Sequence, residues 1–194
     1  MHGFMDRLAR LFALAGGAVL SILVIQTCLS ILGRSLNSIL HSDAIQSSIP
    51  TLAAMLLSTG VGPINGDYEL VEAGMAFTIF AFIPLCQLNG AHASVDIMTA
   101  KLPRGIRQVL SAAIEAIFAG VLIVIAWQMN LGMFSKLNSG QTTFLLQFPL
   151  WWAYAFALTG AIASAVVAIY VAGARMVEIA TGNQMLPVDS GAGQ

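Results

Sequence analysis

Residues 11–33 read LFALAGGAVLSILVIQTCLSILG, a stretch with no charged side chain, bounded by Arg10 and Arg34. Its length of about 23 residues matches the ~20 that a helix needs to cross a hydrocarbon core. A basic start before an apolar run also describes a secretory signal, but such apolar regions cover roughly 7–15 residues and end at a small-x-small cleavage site. The run is too long and lacks that site, so it reads as a retained first span.

The same signal recurs along the chain. Span two covers about 70–88, starts beside Glu69 and Glu72 and holds Pro84. A proline is tolerated in a membrane helix where a neighbour satisfies the carbonyl it frees. Span three covers about 109–134 with Glu115 as its one charge, and span four covers about 150–173. Pro149, Trp151, Trp152 and Tyr154 open the fourth span, and such aromatics suit a bilayer interface. Residues 44–64 are also uncharged but carry Pro50, Gly60, Gly62 and Pro63. There Ile49, Leu52, Ala53, Leu56 and Leu57 recur at helical spacing, which predicts an amphipathic helix lying in the interface or against a partner; a fifth span competes with that reading. After Arg175 the chain is expected to fray into a polar tail.

The expected fold is therefore an all-α integral membrane protein. A four-transmembrane-helix bundle forms a single domain over 1–178, with an interfacial amphipathic helix between its first two spans and a short polar tail over 179–194. Composition agrees: 58% of the 194 residues are hydrophobic and 9% charged, and the mean hydropathy is +0.84. A net charge of -1 and the lack of a basic patch interleaved with aromatics leave no surface suited to nucleic acid. Of the basic residues, Arg7, Arg10, Lys101, Arg104, Arg107 and Arg175 fall at one end of the spans, and Arg34 and Lys136 at the other. Positive residues mark the cytoplasm, so both termini and the 90–108 loop are expected inside.

Several side chains invite a functional reading. Arg34 ends span one where Glu69 and Glu72 begin span two, so all three share a level at the outer side. They make either a clamp between the spans or a cation or substrate-coupling site, and the clamp is favoured because one positive partner accounts for most of the negative charge. Glu115 lies inside span three near the cytoplasmic end, where an ionisable group marks function by default; a single acid does not make a proton relay, so a structural or inter-subunit contact is expected, with Arg10 or a group on another protein as its partner. His92 and Asp96 stand four apart, a spacing that suits a metal on a helix, but with no further ligand nearby a hydrogen-bonding role in the loop is expected instead. Small residues recur at every fourth position: Ala13, Gly17, Ser21; Ala112, Ala116, Gly120; Gly160, Ser164, Ala168, Ala172. Such faces let helices approach closely in lipid, within the bundle or, for the long fourth stripe, against a partner.

Catalysis finds no support in the inventory. His2, His41 and His92 lie outside the span cores where axial haem ligands would sit. Cys28 and Cys86 are the only cysteines, too few for the paired thiols of a quinone-linked disulfide oxidase or for a disulfide framework. No P-loop, G-x-S-x-G or H-E-x-x-H occurs. No cofactor or metal is expected.

The stretch Asp67–Arg107, DYELVEAGMAFTIFAFIPLCQLNGAHASVDIMTAKLPRGIR, resembles the signature region of the small permease subunits of tripartite ATP-independent periplasmic (TRAP) transporters, the DctQ-like family. The resemblance rests on an acidic helix start followed by Gly90, His92, Val95, Asp96, Leu102 and Pro103, on Arg34 closing the first span, and on QTTFLLQFPLWW from Gln141 to Trp152. The 35–66 loop is longer than the family pattern requires, and Thr159 stands where a proline often precedes the glycine of span four. The resemblance implies a three-part importer of the bacterial inner membrane, driven by sodium and commonly carrying organic acids. In it a large permease subunit holds the substrate and ion sites, a periplasmic binding protein delivers the solute, and this chain acts as scaffold. The residues agree, since no inverted repeat or pair of broken half-helices is present. Two other classes compete: a self-sufficient small transporter or channel coupled through Glu72 or Glu115, and the membrane anchor of a redox complex.

Overall fold

A charge-free run in a bilayer must satisfy its own backbone N–H and C=O groups, and an α-helix does so within one segment. The computed structural model describes residues 2–42, 45, 47, 50–58, 60, 62–89 and 104–181. Among these, five helices follow in order: α1 (His2–Leu40), α2 (Pro50–Ser58), α3 (Asp67–Leu88), α4 (Arg104–Ser139) and α5 (Trp151–Thr181). All but α2 are long and apolar enough to cross a membrane. At 1.5 Å per residue, α3 is about 33 Å long and spans the core once, whereas α2 is about 14 Å and cannot span it. Among the described residues the stretch before α3 thus holds a short helix, as its spacing predicts, and no fifth helix long enough to span. The fourth spanning helix, α5, runs past Arg175 to Thr181 rather than fraying there, because Arg175 bonds Glu178 at 3.1 Å and both side chains are largely buried.

The spanning helices pack α1 on α3, α3 on α5 and α5 on α4, with a lighter contact between α1 and α5. Helix α5 is the most enclosed of them. The bundle is built with small residues inside and large ones outside. Ala9, Ala81, Ala119, Ala157, Ala161, Ala165 and Ala168 are buried, while Leu14, Ile22, Ile79, Ile117 and Val124 face outward. Lipid tails offer no hydrophobic penalty to outward leucines, so helices associate by close packing of small side chains.

The α1–α3 seam shows this most plainly. Ala9, Gly16, Leu23 and Ser30 are spaced seven apart, and so are Asp67, Gly74, Ala81 and Leu88. Running antiparallel, they meet in order. Ser30 hydrogen-bonds Asp67, Gly74 leaves room for the tip of Leu23, Gly16 lies against Ala81, and Ala9 shares a cluster with Leu88. A strict seven-residue repeat is the seam of a left-handed pair of helices. The stripe Ala13, Gly17, Ser21 is therefore not the packing face of α1. In α4 the buried face is Ala112, Glu115, Ala119 and Leu122, whereas Gly120 faces open space.

Candidate functional site

The end of the bundle where α3 begins gathers most of the polar side chains that the seam positions. Asp67 opens α3 and is buried, and its carboxylate accepts the Ser30 hydroxyl at 2.5 Å and the Tyr68 N–H at 2.8 Å. Ser30 accepts in turn the Ile64 N–H at 3.2 Å. Arg34 lies 3.7 Å from the same carboxylate and 5.9 Å from the centre of the Tyr68 ring. The partner of Arg34 is thus Asp67, not Glu69 or Glu72. The Arg34 side chain is 53% exposed, so solvent screens this long ion pair and it adds little. The short buried Ser30–Asp67 bond, charge-assisted and shielded, carries more of the clamp. At Gly33 the α1 backbone meets the Gly62 carbonyl so closely that a Cβ there would overlap it.

Glu69 does something else. Its carboxylate accepts the Leu145 N–H at 2.6 Å and the Leu146 N–H at 2.9 Å, tying the α4–α5 loop to the start of α3. Leu146 then packs onto Gly66, whose positive φ of 77° suits glycine and where any Cβ would overlap the leucine. Glu72 is exposed one turn further along and makes no ion pair among the described residues. Trp151 and Trp152 open α5 with ring centroids 5.3 Å apart, and Trp152 continues to Phe156 at 6.4 Å.

At mid-bundle Pro84 is fully buried in α3 and has no N–H for the Phe80 carbonyl. The Ser164 hydroxyl lies 2.8 Å from that oxygen and 2.8 Å from the Gly160 carbonyl, one proton serving two acceptors. Gly160 makes the approach possible, since a Cβ on it would stand 2.9 Å from the Phe80 Cβ and 3.3 Å from the Ala81 nitrogen. The carbonyl freed by proline is thus met by the neighbouring helix, and the stripe Gly160, Ser164, Ala168 is consumed inside the bundle, with Ala168 packed among Ala119, Leu122 and Ala165. Ser164→Ala keeps the fit and removes the donor. It is expected to lower unfolding stability by about 1 kcal/mol, read by denaturant titration in mixed micelles; unchanged stability would mean that the Phe80 carbonyl does not depend on Ser164.

At the opposite end of the bundle Glu115 of α4 is buried. Because Ala119 packs beside Ala168 and Ala172, the antiparallel register puts Glu115 level with Arg175. Arg10 bonds Asp6 at 2.9 Å instead. Gln87 is 1% exposed, and its amide finds no hydrogen-bond partner among the described residues. His92 and Asp96 lie outside the described residues, and among those described no group of three acidic, histidine or cysteine side chains is placed to hold a metal. Sequence reasoning missed Ser30 and Asp67. The signal was present in the two seven-residue rows that contain them.

A family model described as tripartite ATP-independent periplasmic transporters, DctQ component, matches residues 48–178. No curated protein and no solved structure matches the chain.

Proposed function

As the chain belongs to the DctQ family of TRAP transporter components, we propose that this small membrane subunit braces a large permease subunit, which itself moves the solute. The family is one of transporter components rather than of enzymes. In the proposed assembly the large subunit binds an organic acid or similar solute, a periplasmic binding protein delivers it, and a sodium gradient drives import. The chain lies in the bacterial inner membrane with both termini cytoplasmic. Residues 1–178 act as one unit and 179–194 as a short polar tail.

One observation supports a protein partner most directly. Gln128 is exposed on the outward face of α4, flanked by the exposed Val124, Trp127 and Leu131. The packing of Ala119 beside Ala168 and Ala172 sets it level with Gly160, and Gly160 lies against Phe80 in the middle of α3. The amide is thus held near the bilayer midplane, facing out of the bundle. An amide with no partner in hydrocarbon costs several kcal/mol, whereas a hydrogen bond to a neighbouring membrane helix contributes about 1–2 kcal/mol. The face around Gln128 therefore suits a helix of the large subunit better than lipid. Gln128→Leu is expected to weaken co-purification of the large subunit by about tenfold in apparent affinity. Full recovery of the large subunit with that variant, together with a lipid-accessible nitroxide at position 128, would defeat this assignment.

A further inference from the structure

The loop from Gln141 to Leu150 is held from within and from below. Thr143 N–H donates to the Phe148 carbonyl at 2.9 Å, Phe148 N–H to the Thr143 hydroxyl at 3.2 Å and Leu150 N–H to the Gln141 carbonyl at 2.9 Å. Glu69 accepts the N–H groups of Leu145 and Leu146. Gln147 completes the turn at a φ of 52°. A loop fixed in this way presents an apolar tip: Phe144 is 91% exposed and Leu145 60% exposed, while Leu146 turns onto Gly66.

The level of the loop decides what meets that tip. Helices α3 and α5 run in the same direction, with Ser164 beside Phe80. Glu69 precedes Phe80 by as many residues as Ala153 precedes Ser164, so Glu69 and the loop bonded to it stand at the level of Trp151, Trp152 and Tyr154. Trp152 and Phe156 face outward there. Tryptophan and tyrosine gather where headgroups meet acyl chains, so the tip lies at that boundary and not beyond it in bulk water. Between Lys136 and Arg175 the sequence holds no charged residue, which leaves this end of α5 and its loop nothing with which to select a charged protein surface. Apolar and aromatic side chains at this depth gain by entering the headgroup and acyl boundary.

We infer that the Phe144–Leu145 tip is a lipid anchor that inserts into the bilayer interface and, through Glu69, sets the depth of α3 together with the α4–α5 hairpin. This inference rests on the membrane fold and not on the identity of any partner. It is tested by spin labelling the full chain at position 144, with Cys28 and Cys86 changed to serine, in phosphatidylethanolamine–phosphatidylglycerol bilayers, with and without the large subunit. The anchor predicts frequent collision with oxygen and exclusion of a water-soluble nickel chelate, as for a label at Trp152, with an oxygen-to-nickel ratio several-fold above that of a label at Ser139. A ratio equal to that of Ser139 places the tip in water and overturns the inference. Exclusion of both reagents places it under a protein and overturns it equally. A label at Leu145 repeats the reading if the change at Phe144 impairs folding.

Discussion

Gly160→Leu is expected to separate α3 from α5 and to abolish recovery of folded chain from detergent extracts. Any Cβ at this position stands 2.9 Å from the Phe80 Cβ and 3.3 Å from the Ala81 backbone nitrogen, and neither can move without moving α3. Overpacking of this kind costs about 1–3 kcal/mol in a soluble core. Here it also withdraws Ser164 from the carbonyl that Pro84 frees, so the two losses add. Gly74→Ala is the informative contrast. A Cβ there comes within 2.8 Å of Leu23, but the atom it meets is the end of a flexible side chain that can turn aside. Monodispersity on size exclusion and the denaturant midpoint should fall sharply for Gly160→Leu and little for Gly74→Ala. Equal effects would show that the α3–α5 contact is not the close backbone packing described.

Asp67→Ala is expected to have the second largest effect, about 2 kcal/mol. It strips the buried Ser30 hydroxyl of its carboxylate acceptor and removes one of the two negative charges in the first turn of α3. Asp67→Asn keeps an oxygen for Ser30 and should cost less. Arg34→Gln should cost least of the three, because the pair it breaks is long and half in solvent. The order Asp67→Ala, then Asp67→Asn, then Arg34→Gln follows from a clamp dominated by the hydrogen bond. If Arg34→Gln proved the most damaging of the three, the clamp would instead be electrostatic.

The spans were legible because charge-free runs near 20 residues have few other uses, and the need of Pro84 for a neighbouring donor followed from backbone accounting alone. The partner of Arg34 was not legible from its level. Glu69 stands two residues after Asp67, about 200° around the helix at roughly 100° per residue, so only one of the two can face α1. Phase decided it, and the phase was written in the row Asp67, Gly74, Ala81, Leu88. The α1 stripe of every fourth residue failed for the same reason, since the seam follows every seventh. In α5 the four-residue stripe did find the buried face, because Gly160 and Ser164 meet the α3 backbone there. Gln128 escaped notice because one amide barely alters the hydropathy of the run around it. The turn after Arg175 stays helical through an i,i+3 bond to Glu178 that a reading of polarity alone discounts. His92 and Asp96 lie outside the described residues.

The proposed division of labour is tested most directly by transport in proteoliposomes. The solute is chosen as the one that raises the melting temperature of the proposed binding protein. Uptake is then measured with this chain alone, with the large subunit alone, and with both, each in the presence of the loaded binding protein and a sodium gradient. A bracing subunit predicts no uptake by this chain alone and full uptake only when both membrane subunits are present. Uptake by this chain alone, abolished by neutralising Glu72 and Glu115, would contradict the account and make it a transporter in its own right.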